Sequence, residues 1–258
     1  MKHHVAIALW DSSLLTASQT IDALATSGID VITINSSLKR AIGTDISSPN
    51  IFIEQVKKAV RSCPEGDYFF TYISGDVSSS NWGSYIQRLT QVITALDPFV
   101  YAPYLTSEGY PREFVHLTAD LESADLDIAC MTDGLVFSLH PTIVQELKNF
   151  FAYLDAQNAR FTVGWGLDWI WCLLAIHHQK YIIRDVAMPL LHPSGTSYDK
   201  SQAKEEFHQV INFFLDYRHQ LDGSDTQFRK YIYMINERFK NNPKFLQANA
   251  FFPKVGSI

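Results

Sequence analysis

The first hundred residues alternate between short β-rich runs and helical segments, and this alternation is the strongest constraint on the fold. The four β-rich runs are residues 5–9 (VAIAL), 29–35 (IDVITIN), 68–73 (YFFTYI) and 99–104 (FVYAPY). Strands that alternate with helices form parallel sheets that helices cover. The third run is apolar nearly throughout, as expected for a strand buried on both faces of a parallel sheet.

The clearest helix of the chain follows the third β-rich run. Its apolar residues recur with helical spacing and form one face, at positions 82, 85, 86, 89, 92, 93 and 96. Two further helices are predicted at residues 16–26 and 50–62, each followed by a glycine or proline that ends it. We therefore predict an α/β fold with a mostly parallel central sheet flanked by helices.

After residue 105 the regular alternation ends, and residues 106–125 are polar and rich in turn-forming types. We predict strands at 126–131, 135–139 and 181–187, and helices at 141–154, 202–217 and 228–239. His140-Pro141 marks a helix start, because proline is favourable at a first helical position. The helical tail after Asp199 could pack on the sheet, pair subunits or rest on a membrane surface, and packing is the default.

Composition excludes several classes of protein. The net charge is -6 at a sequence pI near 5.8, so nucleic acid is a poor candidate partner. The apolar stretch near the N-terminus is too short for a signal peptide, and no uncharged apolar run reaches the roughly eighteen residues of a membrane span. Cys63, Cys130 and Cys172 have no metal-ligand spacing and are expected to be small core residues. These features predict a cytoplasmic protein.

A nucleotide, if one binds at this sheet, is not held by a glycine-rich loop. The turn after the first strand is WDSSLLT, residues 10–16, which contains no glycine, and no lysine follows a glycine loop anywhere. The alternative is a divalent metal ion, held by carboxylates, that bridges the protein to the phosphate oxygens. Asp76 follows the third strand, at the edge of a parallel sheet where ligands gather. It could equally cap the next helix, although residues 78–81 (SSSN) already supply caps.

Asp168 lies in the segment FTVGWGLDWIWCLLAIHH, residues 161–178, among three tryptophans and two glycines. It could be a helix cap stabilised by the helix dipole. Alternatively it is a general base that takes a proton from an acceptor hydroxyl, with aromatic walls raising its pKa. In that interpretation Trp165 or Trp169 could stack against a sugar.

Two further residues are candidates for binding. His192, in MPLLHP, could be a surface histidine of a turn, or it could complete a metal site with Asp76, because the two need only meet in space. Asp133, in Thr132-Asp133-Gly134, could belong to a simple β-turn or receive sugar hydroxyls.

The order of these motifs resembles that of the GT-A fold glycosyltransferases, which use nucleotide sugars. The resemblance covers residues 4–195 as an arrangement and rests on a few short motifs: GDVS, GWGLDW and LLHP. It implies that Asp76 takes the first position of the DxD motif, which holds Mn²⁺ or Mg²⁺ against the diphosphate. It further implies that Asp168 is the later acid and His192 the histidine that can join the metal.

The same resemblance implies a division of the chain. Residues 1–105 would form a nucleotide-binding half, in which Asp11 and Asn35 face the base and ribose. Residues 106–198 would form the acceptor and catalytic half of the same domain, and residues 199–258 a helical extension. The chain departs from the family pattern at Ser78, which stands at the second DxD position. The metal site is thus weak, absent, or completed by Ser78 and water.

Together these features predict a glycosyltransferase that moves a sugar from a nucleotide diphosphate sugar to a hydroxyl of a glycan or glycolipid precursor. One rival is a non-catalytic sugar- or nucleotide-binding module that kept the fold and lost the DxD motif. The other is an α/β nucleotidyltransferase, against which the scarcity of Lys and Arg in residues 1–38 counts.

Overall fold

A computed structural model describes residues 2–38, 46–79, 81–105, 126–129, 131–132, 134–192 and 199–240. Within them lies an eight-stranded sheet with strand order β3-β2-β1-β4-β7-β5-β8-β6. Its strands are β1 (Lys2–Leu9), β2 (Val31–Asn35), β3 (Ile46–Ser47), β4 (Tyr68–Ser74), β5 (Val100–Leu105), β6 (Leu126–Ile128), β7 (Val136–Leu139) and β8 (Ile182–Leu190). The helices are α1 (Leu14–Thr26), α2 (Phe52–Ser62), α3 (Trp82–Leu96), α4 (Pro141–Ala156), α5 (Leu167–His177), α6 (Lys200–Asp222) and α7 (Asp225–Lys240).

The sheet is mostly parallel, as predicted. Strands β1 to β4 pair in parallel, and so do β5 and β8. Strand β7 is antiparallel to both β4 and β5, and β6 is antiparallel to β8, so six of the eight strands share one direction. The insertion of β7 between β4 and β5 was not predicted, because pairing partners distant in sequence leave no local signal.

Helices cover both faces of the sheet. Along β4, Phe70 and Tyr72 belong to one core cluster while Phe69 and Ile73 belong to the other. This explains the nearly continuous apolar run of that strand, since both of its faces are buried. Helices α1 and α3 cover one face, and α2, α4 and α5 contribute to the core on the other.

The helical tail adds to the second of these cores. Phe207, Val210 and Phe214 of α6 and Phe228 of α7 are buried in the same cluster as α4 and α5. The tail thus packs against the domain, while the three-part division of the chain stays a prediction. None of the described helices has the length and apolar character needed to cross a membrane.

A buried ion pair fixes strand β8 against helix α3. The carboxylate of Asp185 is fully buried and accepts hydrogen bonds from Arg88 Nε at 2.9 Å and from the Tyr101 hydroxyl at 2.8 Å. Its other oxygen accepts the backbone N–H of Ala187 at 3.0 Å. Burial above all, and the adjacent Asp185 carboxylate in addition, raise the pKa of Tyr101 well above its ordinary value. The Tyr101 hydroxyl therefore stays protonated and acts as a donor.

Replacing Asp185 with asparagine should destabilise the fold, because it removes the negative charge beside a buried guanidinium. We expect Asp185→Asn to lower the free energy of unfolding by about 3 kcal/mol or more. Urea unfolding followed by circular dichroism measures the change. The exposed Asp30→Asn is the matched control and should stay within about 0.5 kcal/mol of the parent; equal effects of the two changes would contradict the structural importance of the pair.

Candidate functional site

Strands β1, β2 and β4 end at one edge of the sheet, where β2 and β4 finish in the polar residues Asn35 and Ser74. Leu9 of β1 is in register with Asn35 of β2, and Ala8 is in register with Ser74 of β4. The segments that follow these strands therefore leave the sheet side by side. In open α/β sheets this carboxyl edge is where ligands bind.

Gly75 allows the loop after β4 to lie directly against the end of β1. A Cβ at this position would be 2.4 Å from the carbonyl oxygen of Ala8 and 2.8 Å from the Ser13 hydroxyl. Any side chain would push the loop, and with it Asp76, away from β1. The glycine of the GDVS motif is thus required by close backbone approach.

A cleft of about 560 Å³ opens at this edge and is lined by residues 10–12, 35–38 and 47–50. Its size falls within the range of small-molecule sites. In its wall, Asp11 accepts hydrogen bonds from the Ser37 hydroxyl and from the backbone N–H of Leu38. The buried Asn35 accepts the N–H of Ser37 at 2.8 Å through its side-chain oxygen. Two of the predicted residues, Asp11 and Asn35, therefore share one cleft.

Asp76 and His192 meet beside the loop after β4. His192 Nε2 lies 3.2 Å from Asp76 Oδ2, and the Ser74 hydroxyl donates to Asp76 Oδ1 at 2.7 Å. The contact depends on a backbone bridge, in which Ser78 N–H donates to Leu191 O and Leu191 N–H donates to Ser78 O, both at 2.9 Å. The end of β8 is thereby tied to the loop that carries Asp76 and Ser78.

The environment of Asp76 favours its ionised form. Partial burial raises the pKa of this carboxyl, but the hydrogen bonds from His192 and Ser74 and the imidazole charge outweigh it, so the pKa lies below its ordinary value. A carboxylate with a neighbouring imidazole and hydroxyl can take part in binding a divalent cation. Among the described residues, no group of three or more His, Cys, Asp or Glu side chains is placed to hold a metal ion. A cation here would therefore need further oxygen ligands from water or from a phosphate.

Asp168 lies in the first turn of α5, at the same edge. Helix α5 directly precedes β8 and packs on β8 and on its parallel neighbour β5. Because β8 starts at the opposite edge of the sheet, α5 begins at the carboxyl edge and runs back across the sheet. Gly166 precedes the helix with φ 106°, and Asp168 is partly buried. The segment thus brings a carboxylate to the edge that carries Asp76 and His192.

The two tryptophans beside Asp168 differ in exposure. Trp169 is 2% exposed and packs edge-on against Phe207, with ring centroids 5.4 Å apart. Its ring belongs to the core and is not open to a sugar. Trp165 is partly exposed and stays the sugar-stacking candidate of the pair. Asp133 lies outside the described residues.

A buried carboxylate that the sequence reasoning missed anchors the loop before α5. Glu206 of α6 accepts the backbone N–H groups of Thr162, Val163 and Gly164 at 2.9, 2.8 and 2.7 Å. A sequence signal for it exists, because Glu206 interrupts the apolar stripe 203, 207, 210, 211 and 214 on the buried face of the helix. An acid on such a stripe needs partners, which the stripe alone does not identify.

Comparisons with known proteins identify the fold. No protein-family model matches this sequence, and no curated protein matches it. Among solved structures, residues 1–349 of TarS from S. aureus match with a TM-score of 0.57 at 12% identity, over 95% of this chain and 74% of that one. GalNAc-T7, solved with UDP, GalNAc and Mn²⁺, matches with a TM-score of 0.60 at 9% identity, over 98% of this chain and 59% of the other.

A third similar structure is glucosyl-3-phosphoglycerate synthase from Mycobacterium tuberculosis in complex with Mn²⁺, UDP-glucose and phosphoglyceric acid. It matches with a TM-score of 0.54 at 13% identity, over 83% of this chain and 79% of that one. These similarities confirm the GT-A fold that the motif order indicated. At such low identity they establish the architecture alone.

Gly164 should be intolerant of a side chain, because it has φ 81° and a Cβ would lie 2.4 Å from Ile53 Cβ. Gly28 is a matched control, with φ 74° but no atom within 4 Å of its Cβ position. We expect Gly28→Ala to cost about 1–2 kcal/mol from backbone strain, and Gly164→Ala to cost about 1–3 kcal/mol more from overpacking. Urea denaturation of both variants gives the difference, and equal losses would show that the contact with Ile53 is unimportant.

Proposed function

We propose that this protein is a glycosyltransferase, which moves a sugar from a nucleotide diphosphate sugar to a hydroxyl of a glycan or glycolipid precursor. The observation that carries the proposal is the contact of Asp76 with His192 at the carboxyl edge of a GT-A fold, the edge at which a cleft lined mostly by polar residues also opens. This is where such a fold would receive a phosphorylated ligand. The solved structures with UDP or UDP-glucose support a uridine nucleotide as the first donor to test.

The cleft is suited to the nucleoside end of the donor. Asp11 and Asn35 present a carboxylate and an amide at its wall, and both can hydrogen-bond a base or a ribose. The phosphates would then lie towards Asp76 and Ser78, which follow the neighbouring strand β4. In this proposal the donor would lie along the sheet edge from β2 across β1 to β4, which are neighbours in that order, with its nucleoside at β2 and its diphosphate at β4.

Asp76 and His192 would hold the cation, Mn²⁺ or Mg²⁺, that the diphosphate brings with it. A bound divalent cation neutralises the charge that develops on the departing nucleoside diphosphate. Two protein ligands suffice for such a cation when substrate phosphates and water complete its coordination. Ser78, at the place of a second carboxylate, contributes a neutral hydroxyl oxygen, directly or through water.

Asp168 would act on the acceptor. If the reaction inverts the anomeric centre, its carboxylate takes the proton of the attacking hydroxyl as the new glycosidic bond forms. Trp165 would stack against a sugar ring, and Asp133 would receive sugar hydroxyls. The burial of Trp169 removes it from this set.

A non-catalytic module that binds a nucleotide or a sugar is the second candidate. The observation that favours it is the single carboxylate at the DxD position, where Ser78 replaces the second acid. Such a module would bind the nucleotide and the cation just as an enzyme would. It would differ in showing no cleavage of the donor.

Asp76→Asn should remove the metal-dependent part of nucleotide binding, because it neutralises the carboxylate ligand. For the parent protein, we expect UDP with Mn²⁺ to raise the free energy of unfolding by about 2.7 kcal/mol when the ligand is at a hundred times its Kd. Thermal unfolding with UDP, with and without Mn²⁺, measures the effect. Asp67→Asn, at the opposite end of β4 and exposed, is the control and should keep the parent's response. A full Mn²⁺-dependent response of Asp76→Asn would contradict the assigned metal ligand.

Asp168→Asn should lower turnover by about 10²–10⁴-fold, the usual contribution of a general base, while leaving UDP binding unchanged. UDP release from a panel of uridine diphosphate sugars, with water or an added glycan as acceptor, measures the rate. If Asp168 were only a helix cap, the variant would lose less than about 1 kcal/mol of stability and keep its rate. A parent protein that binds UDP but releases none from any donor would support the non-catalytic module.

A further inference from the structure

Helix α6 contacts the loop that leads to Asp168 through a buried carboxylate. Glu206 is 6% exposed, and its two oxygens accept the three successive backbone N–H groups of Thr162, Val163 and Gly164. The Thr162 hydroxyl also donates to Oε1. Four donors from one short stretch of chain thus converge on one side chain.

These contacts keep Glu206 charged and the loop fixed. Burial raises the pKa of this carboxyl, but the hydrogen bonds from the Thr162 side chain and from the three backbone amides outweigh it, so the pKa lies below its ordinary value. Hydrogen bonds to a charged acceptor are about twice as strong as neutral ones. A glutamine could not replace the carboxylate, because its NH₂ group would face backbone N–H donors.

Both glycines of the loop are packed closely on either side of this anchor. A Cβ on Gly164 would be 2.4 Å from Ile53 Cβ in α2, and a Cβ on Gly166, which has φ 106°, would be 3.3 Å from the Phe207 ring in α6. The loop therefore lies between α2 and α6 with little space on either side. Asp168 follows Gly166 by two residues, in the first turn of α5.

We infer that Glu206 is a positioning residue, which fixes the loop at residues 162–166 and thereby the direction from which Asp168 faces the acceptor. Its role as an aid to catalysis rests on the proposed function. The helical tail is accordingly part of the site: α6 holds the loop through Glu206 and packs Phe207 against Trp169 of the same helix that carries Asp168. A purely structural role would instead affect the stability of the protein without a specific effect on turnover.

The test compares Glu206→Gln with Glu205→Gln in the full chain. Both remove one negative charge from neighbouring positions of α6, but Glu205 is exposed. Hydrogen exchange at the backbone amides of residues 162–168 reports the loop directly and requires no activity. UDP release from the donor found for the parent, analysed as separate kcat and KM values, reports the effect on the site.

We expect Glu206→Gln to raise exchange at the amides of Val163 and Gly164 by about tenfold or more, because their charged acceptor is lost. The kcat should fall by about tenfold or more, since a displaced base loses its alignment with the acceptor. The KM for the donor and the response to UDP with Mn²⁺ should stay as in the parent, because the cleft and Asp76 are untouched. Glu205→Gln should match the parent in every measurement.

Thr162→Val provides the milder change if Glu206→Gln fails to fold. It removes one donor to Glu206 and keeps the shape of the side chain. Hydrogen exchange should therefore rise and kcat should fall, as in Glu206→Gln, but by smaller factors. Unchanged exchange at residues 162–164 would overturn the inference. So would a kcat that falls only in proportion to the folded fraction. A parent protein that cleaves no donor would overturn the proposed function and the catalytic role of Glu206 with it, while the exchange measurement would still decide whether Glu206 holds the loop.

Discussion

The backbone pairing between Ser78 and Leu191 is the contact on which the arrangement of the site depends. It joins the loop after β4 to the end of β8, two strands that β7 and β5 separate in the sheet. His192 directly follows Leu191 of this bridge, and its Nε2 lies 3.2 Å from Asp76 Oδ2. The buried Asp185 supports this pairing at a distance, because it holds the preceding part of β8 against α3. The buried carboxylate of Asp185 thus helps to position Asp76 and His192 at the surface.

The parts of the fold that local patterns encode could be predicted from the sequence. Helix α3 was predicted over residues 82–96, its observed extent, because its apolar residues keep strict helical spacing over four turns. Strand β3 has only two residues and offers no periodicity to read. The position of β7 between β4 and β5 is set by pairing across the sheet, which leaves no trace in the spacing of residues. Local patterns therefore gave the elements and their order along the chain, while the order of strands in the sheet needed the structure.

The same distinction applies to the candidate site. Asp76 could be chosen because it follows a strand of a parallel sheet, at the edge where ligands gather. Asp11 and Asn35, at the ends of the first two strands, were named through the resemblance to a family. His192 was named as one of two alternatives, a histidine of a surface turn or a metal partner of Asp76, since nothing within its own segment indicates a partner. Glu206 was missed because its partners are backbone groups of a loop more than forty residues earlier. Trp169 was misjudged as a sugar-binding candidate because the sequence does not show which side of α5 faces the core.

The replacement of a second carboxylate by Ser78 has a consequence for how the proposed ligands would bind. One carboxylate and one imidazole give a cation too few protein ligands for tight binding alone, and the diphosphate supplies the oxygens that are missing. Cation and nucleotide would then raise each other's affinity by the same factor, since coupling between two sites is reciprocal. The Ser74 hydroxyl donates to one oxygen of Asp76, and His192 Nε2 lies beside the other. Binding of a cation would therefore draw on a carboxylate whose two oxygens already have polar neighbours, and these neighbours would have to rearrange with it.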